Sequence, residues 1–176
     1  ISSLSLEQLS ADINADVDIV CSVVNDITEL PLYWFEQQLT IIFMRLVVDF
    51  SDDKDASTRE KLLETLMSIF ETFGNKRHIV RYIYQWGLKD INLSILLGTF
   101  LYNICDRILG ISGDKKQDMF VSSIFRSVRV KGLMALLIKI FLVWMKDDSE
   151  DLSLTYREID QSLNRASEWA KSFKLI

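Results

Sequence analysis

The run LMALLIKIFLVWM, from Leu133 to Met145, constrains the fold more than any other stretch, because only Lys139 interrupts its apolar side chains. At helical spacing those side chains occupy every side of the helix, so such a helix has to be covered all round. A bilayer crossing needs about 20 apolar residues, and this run stops well short of that. It is therefore read as a helix buried in protein, and no transmembrane segment is expected.

The residues that follow, KDDSED, form a short acidic turn in which Ser149 is placed to cap a second helix, with Glu150 and Asp151 in its first turn. On that helix Tyr156, Ile159, Leu163, Ala166, Ala170 and Phe173 recur at steps of three and four, which makes a narrow packing seam. An all-round apolar helix beside a seam helix carries more apolar surface than one chain of 176 residues conveniently hides. A second copy of the chain is expected to cover part of it.

Upstream, the pattern is helical throughout. Ser5 and Gln8 match a capping box that opens a short helix to about Asn14, and Asp16 can cap a second short helix carrying Val17, Val20, Cys21 and Val24. Thr28 to Phe50 reads as a long connecting helix with the lone proline, Pro31, in its first turn. Ser57 and Glu60 form another capping box before a helix that stops at Gly74; a shorter helix covers Arg77 to Trp86; Asp90 caps a further one that ends at Gly110. Gly98, in the middle of that last helix, is expected either to permit close helix contact or to leave room for something bound. No strand alternation appears, so the fold class is all-α with about eight helices.

Composition narrows the chemistry. The two cysteines, Cys21 and Cys105, lack metal spacing and sit among apolar residues, so both are expected as buried free thiols in a reducing, cytoplasmic compartment. The only histidine, His78, is read as a surface or packing residue. The six glycines build no phosphate cradle, and GxSxG, HExxH and CxxC are all missing. Asp147, Asp148, Glu150 and Asp151 stand beside a helix start, where they serve as cap and dipole partners and not as metal ligands. No enzyme, cofactor or metal is expected.

Two short helices, a long connector and a helical body closing in an antiparallel pair resemble the tetracycline-repressor-like (TetR) regulators. The most specific stretch is the closing one, with Trp144, Asp148, Ser149, Asp151, Ile159, Asp160, Arg165 and Ala166 in the positions of a TetR-like subfamily. The same stretch is similar to the lipid-binding accessory family of coenzyme Q (ubiquinone) biosynthesis, itself built on a TetR-like fold. The function they imply first is a homodimeric transcriptional regulator that senses a small hydrophobic ligand; the alternative is a lipid-binding accessory protein that does not bind DNA. They imply a helix-turn-helix head over residues 1–30, its first helix missing, and a ligand-binding and dimerisation body over 31–176. They also imply a homodimer through the last two helices, drawing on Leu133, Leu137, Phe141, Trp144, Ile159, Leu163 and Ala166. A small hydrophobic or lipid ligand would sit among Met67, Phe70, Leu97, Leu101, Tyr102, Phe120 and Ile124.

The head departs from the regulator pattern. Asn14 takes the turn position usually held by glycine, Cys21 that of an aromatic residue, and Glu29 lies near that of a lysine. Residues 1–50 hold eight acids, Glu7, Asp12, Asp16, Asp18, Asp26, Glu29, Glu36 and Asp49, against Arg45 alone. Neutralising phosphates supplies most non-specific affinity for DNA, so DNA binding is disfavoured and no DNA-contacting residue can be assigned.

Overall fold

Local hydrogen bonding sets where the helices begin. The structure, a computed structural model, describes residues 5–53, 55–113 and 121–172, with the side chains at 121–124 and 169–172 outside that description. Ser5 accepts the Gln8 N–H at 3.2 Å while the Gln8 side chain takes the Ser5 N–H at 3.1 Å, so the capping box opens α1, Leu6–Asp12. Asp16 caps α2, Val17–Val23, and a 3-10 turn at Ile27–Glu29 leads into α3, Leu30–Asp52, with Pro31 in its first turn. Ser57 and Glu60 open α4, Thr58–Gly74; α5 is Arg77–Gly87, and Asp90 caps α6, Ile91–Ile111. The closing pair is α7, Val121–Trp144, and α8, Ser153–Ser172. The fold is all-α, with eight α-helices and no strand among the described residues.

The core lies between α3, α4, α6, α7 and α8. Leu46, Leu66, Ile108, Val130, Ile140 and Ile159 are wholly enclosed there. Trp144 is the largest side chain in it, 1% exposed, with its ring 5.5 Å from Phe70 and 6.0 Å from Phe141 and the Arg77 guanidinium 4.9 Å from its centre. Exposure of α7 is one-sided: Val130, Leu133, Leu137, Ile140 and Trp144 face in, whereas Phe125, Val128, Ile138 and Leu142 face out. One chain thus covers half of the apolar rod.

The turn between α7 and α8 is built differently from the expectation. The helix starts at Ser153, not directly after Ser149; the Ser149 hydroxyl does accept the Ser153 N–H, at 3.0 Å, as does the Asp151 carboxylate at 3.2 Å, and the buried carboxylate of Asp147 caps the next turn position. It accepts the Thr155 N–H and hydroxyl, both at 2.7 Å, together with the Ser149 N–H at 3.2 Å and the Ser149 hydroxyl. A carboxylate reaching eight residues forward caps the helix from outside its own first turn, which a scan for a local N-cap serine cannot see. Leu152 is bent into the left-handed region, φ 52°, to let the chain reverse with its side chain buried.

Two further expectations are corrected. Cys21 is exposed, because α2 packs inward through Val20 alone; Cys105 is buried as expected, and burial pushes its thiol up to about 12. Gly98 is exposed and a Cβ there would meet nothing within 4 Å, so it permits no close helix contact. While the 133–145 run is too short to span a bilayer, α6 is long and apolar enough to do so on length and composition. Its inner face, Leu93, Ile104, Cys105 and Ile108, is packed in the core.

Candidate ligand cleft and the acidic head

The long connector α3 is apolar on two sides. Leu39, Ile42, Phe43, Leu46 and Phe50 are buried at steps of three and four, and the opposite side leaves Ile41, Met44, Val47 and Val48 between 53% and 69% exposed. Beside that second face lies a shallow cleft of about 850 Å³, largely open to solvent. Phe43, Met44, Val47, Val48 and Phe50 of α3 and Ile111 of α6 make it apolar; Thr40, Ser51, Lys61, Arg107 and Gly110 complete it.

Two cations stand at its sides. Arg107 from α6 pairs with Glu36 and lies 4.7 Å over the Phe43 ring. Lys61 from α4 donates to the Phe50 carbonyl at 3.4 Å and sits 5.5 Å from the centre of the Phe50 ring. Aromatic rings below each cation hold the charge at an apolar boundary. The arrangement suits a molecule with a greasy body and an anionic end, since a guanidinium offers five N–H donors and Glu36 engages only Nη1 here.

The residues expected to surround a ligand lie elsewhere. Phe70 is packed on Trp144, Met67, Leu101 and Tyr102 pack against the same core, and Leu97 abuts Gly87, where a Cβ would come within 2.9 Å of its Cδ1. Phe120 and the side chain of Ile124 lie outside the described residues. Of the described ones, Met67, Phe70, Leu97, Leu101 and Tyr102, none lines the cleft. The interface residues are also relocated: Leu133, Leu137, Trp144, Ile159 and Leu163 are at most 8% exposed within the single chain. Phe141 is half-buried, stacked with Tyr84 at 5.3 Å, and only Ala166 is exposed. Among the described residues, the outward sides of α7 and α8 present Phe125, Val128, Ala135, Ile138, Leu142, Leu154, Tyr156 and Ala166, beside the Lys139–Glu158 ion pair that ties the two helices.

In the head, α1 and α2 make a helix-turn-helix. Asn14 sits at φ 51°, so it does take the left-handed conformation for which a glycine is common, and Asn adopts it more readily than most residues. The Ser10 hydroxyl closes the turn on the Ala15 carbonyl at 2.6 Å, and the Tyr33 hydroxyl ties the end of α2 to α3 through the Val23 carbonyl at 2.9 Å. The outer face of α2 presents Val17, Asp18, Ile19, Cys21, Ser22 and Val23. A helix of that composition offers no donor fork for guanine and no cation for a phosphate.

Among solved structures, the chain is similar to the TetR transcriptional regulator from Nitrosomonas europaea ATCC 19718, with a TM-score of 0.69 and 15% identity over 94% of this chain and 87% of that one. The likeness fixes the fold as TetR-like. Comparison of the sequence with family models and with curated proteins returned no match.

Proposed function

We propose that this TetR-like fold serves as a non-enzymatic, dimeric carrier of a small hydrophobic ligand with an anionic end, a lipid-binding accessory protein that has left DNA reading behind. The head, residues 1–30, acts as a scaffold, and the body from residue 31 onward holds the ligand and the dimer contact. The cleft over α3, greasy in the middle and flanked by Arg107 and Lys61, carries the reading. The closing stretch resembles the coenzyme Q accessory family and the TetR regulators alike, and the acidic head is what favours the carrier. Two copies meet through the outward face of α7 and α8, where the small residues Gly132 and Ala135 allow close approach.

The second reading is a DNA-binding regulator, favoured by the likeness to the Nitrosomonas europaea protein. Titrating the full chain with a fluorescent fatty acid, cis-parinaric acid, and with duplex DNA at low salt separates the two. The carrier reading expects saturable fatty-acid binding that a Met44→Asp/Val47→Asp double variant weakens at least tenfold, about 1.4 kcal/mol. Both positions are more than half exposed, so the substitutions leave the core intact. DNA binding with a steep salt slope and no fatty-acid binding would instead establish the regulator.

A further inference from the structure

The corner between α5 and α6 stands apart from the rest of the molecule in both charge and texture. Ile91 is the most exposed large hydrophobic residue among the described residues, at 73%, and Leu88 and Ile95 beside it are 68% and 61% exposed. Ile91 and Ile95, four apart, share one face of the first turns of α6, and Leu88 stands in the turn just before them, at the end of α5. Tyr82 and Tyr84 are partly exposed on α5, and Trp86 is half-buried.

Charge reverses here. The chain as a whole has a net charge of −5, yet residues 75–105 carry Lys76, Arg77, Arg81 and Lys89 against Asp90 alone; Arg77 pairs with Asp148 of the acidic turn at 3.8 Å and Lys76 donates to Gln38, which leaves Arg81 and Lys89 as the cations of this corner. The Asp90 carboxylate is spent on capping α6, accepting the N–H groups of Asn92 and Leu93 at 2.9 and 3.1 Å. Arg77 is turned inward over Trp144, and Arg81 donates to the Met145 carbonyl at 2.9 Å; Arg81, Lys89 and His78 are all exposed. Protruding aliphatics, tyrosines at their margin and surface cations together are the composition of a segment that lies in a membrane interface.

We propose that the α5–α6 corner docks the protein peripherally on an anionic lipid bilayer, with Leu88, Ile91 and Ile95 inserted below the headgroups and Lys89 and Arg81 among them. The helix lies on the membrane and does not span it, because the opposite side of α6 is locked in the core through Leu93, Ile104 and Ile108. A second copy of the chain is a poor occupant, since a two-fold contact at this corner would bring Lys89 and Arg81 toward their own duplicates. An anionic surface answers the same charges, each basic residue near it adding roughly fivefold to binding.

The test is sedimentation of the full chain with vesicles of phosphatidylcholine, alone or with about one part in three phosphatidylglycerol. Wild type is expected to pellet with the mixed vesicles, less so as salt rises and little with phosphatidylcholine alone. The triple variant Leu88→Ser/Ile91→Ser/Ile95→Ser should lose at least tenfold, and Lys89→Glu several-fold on the mixed vesicles only. These side chains are exposed, and circular dichroism establishes that the variants keep their helices. Ile19→Ser, on the outer face of α2 and 63% exposed, should pellet as wild type does. The Met44→Asp/Val47→Asp variant should also keep pelleting, so that a failed ligand cleft and a failed docking surface give different results. Wild type that ignores both vesicle types, equal pelleting on both, or a triple variant that pellets undiminished would overturn the proposal; a triple variant that changes the oligomeric mass but still pellets would assign the corner to a second copy.

Discussion

Trp144→Ala lowers the unfolding free energy by about 4 kcal/mol, the cost of emptying a buried tryptophan site that cannot collapse. The residue is 1% exposed and touches α4 through Phe70, α5 through Arg77 and its own helix through Phe141, so no single neighbour can swing in to fill the hole. Its indole N–H makes no hydrogen bond with the described protein atoms, and the loss is therefore one of packing and of the cation over the ring. For a chain of this length the drop corresponds to a fall in Tm of roughly 8–16 °C. Trp144→Phe, which refills most of the volume, should recover more than half of it. Urea unfolding of the three proteins followed by circular dichroism reads the series; an alanine variant within about 1 kcal/mol of wild type would mean that the ring does not organise the core.

Asp147→Ala costs nearly as much, about 3 kcal/mol, by leaving the Thr155 and Ser149 donors without their acceptor at a buried turn. Burial opposes the charge on this carboxyl, but the hydrogen bonds from Ser149 and Thr155 together outweigh burial and hold it down at about 2. A carboxyl depressed in the folded state contributes stability that is fully present above the ordinary aspartate range and is lost as the pH falls toward about 2. The size of that component is about 2 kcal/mol. The gap between wild type and Asp147→Ala should consequently shrink from about 3 kcal/mol at neutral pH to about 1 kcal/mol near pH 2. Urea titrations across that range check it, and a gap that stays constant with pH would show that the carboxylate is not the cap.

Both residues belong to the stretch that dominates the sequence, and the comparison shows what one chain's letters can and cannot convey. Helix starts were legible wherever the cap is local, as at Ser5, Asp16, Ser57 and Asp90, because a cap needs only its own next three residues. At α8 the expected Ser149 does accept the Ser153 N–H, but the helix starts later than read because the buried Asp147 also caps it from across the turn. Residues Leu133 to Met145 are apolar all round, so periodicity could not say which side faces the chain's own core and which is left for a partner. The structure turns Leu133, Leu137 and Trp144 inward and Val128, Ile138 and Leu142 outward.

The candidate cleft was missed for a related reason. Helix α3 read as a simple connector, and the signal in it was surplus: Ile41, Met44, Val47 and Val48 are more apolar residues than one buried stripe requires. Lys61 and Arg107, which complete the site, lie on α4 and α6, and nothing local announces that juxtaposition. The acidity of the head, by contrast, was visible at once, since charge needs no geometry to be counted.

Native mass spectrometry of the full chain, purified without added lipid, bears most directly on the central claim. The account predicts a species at twice the 20.4 kDa chain mass that carries a hydrophobic adduct, released when the gas-phase energy is raised. A bare single chain, or a bare dimer that takes up no offered fatty acid, would contradict it.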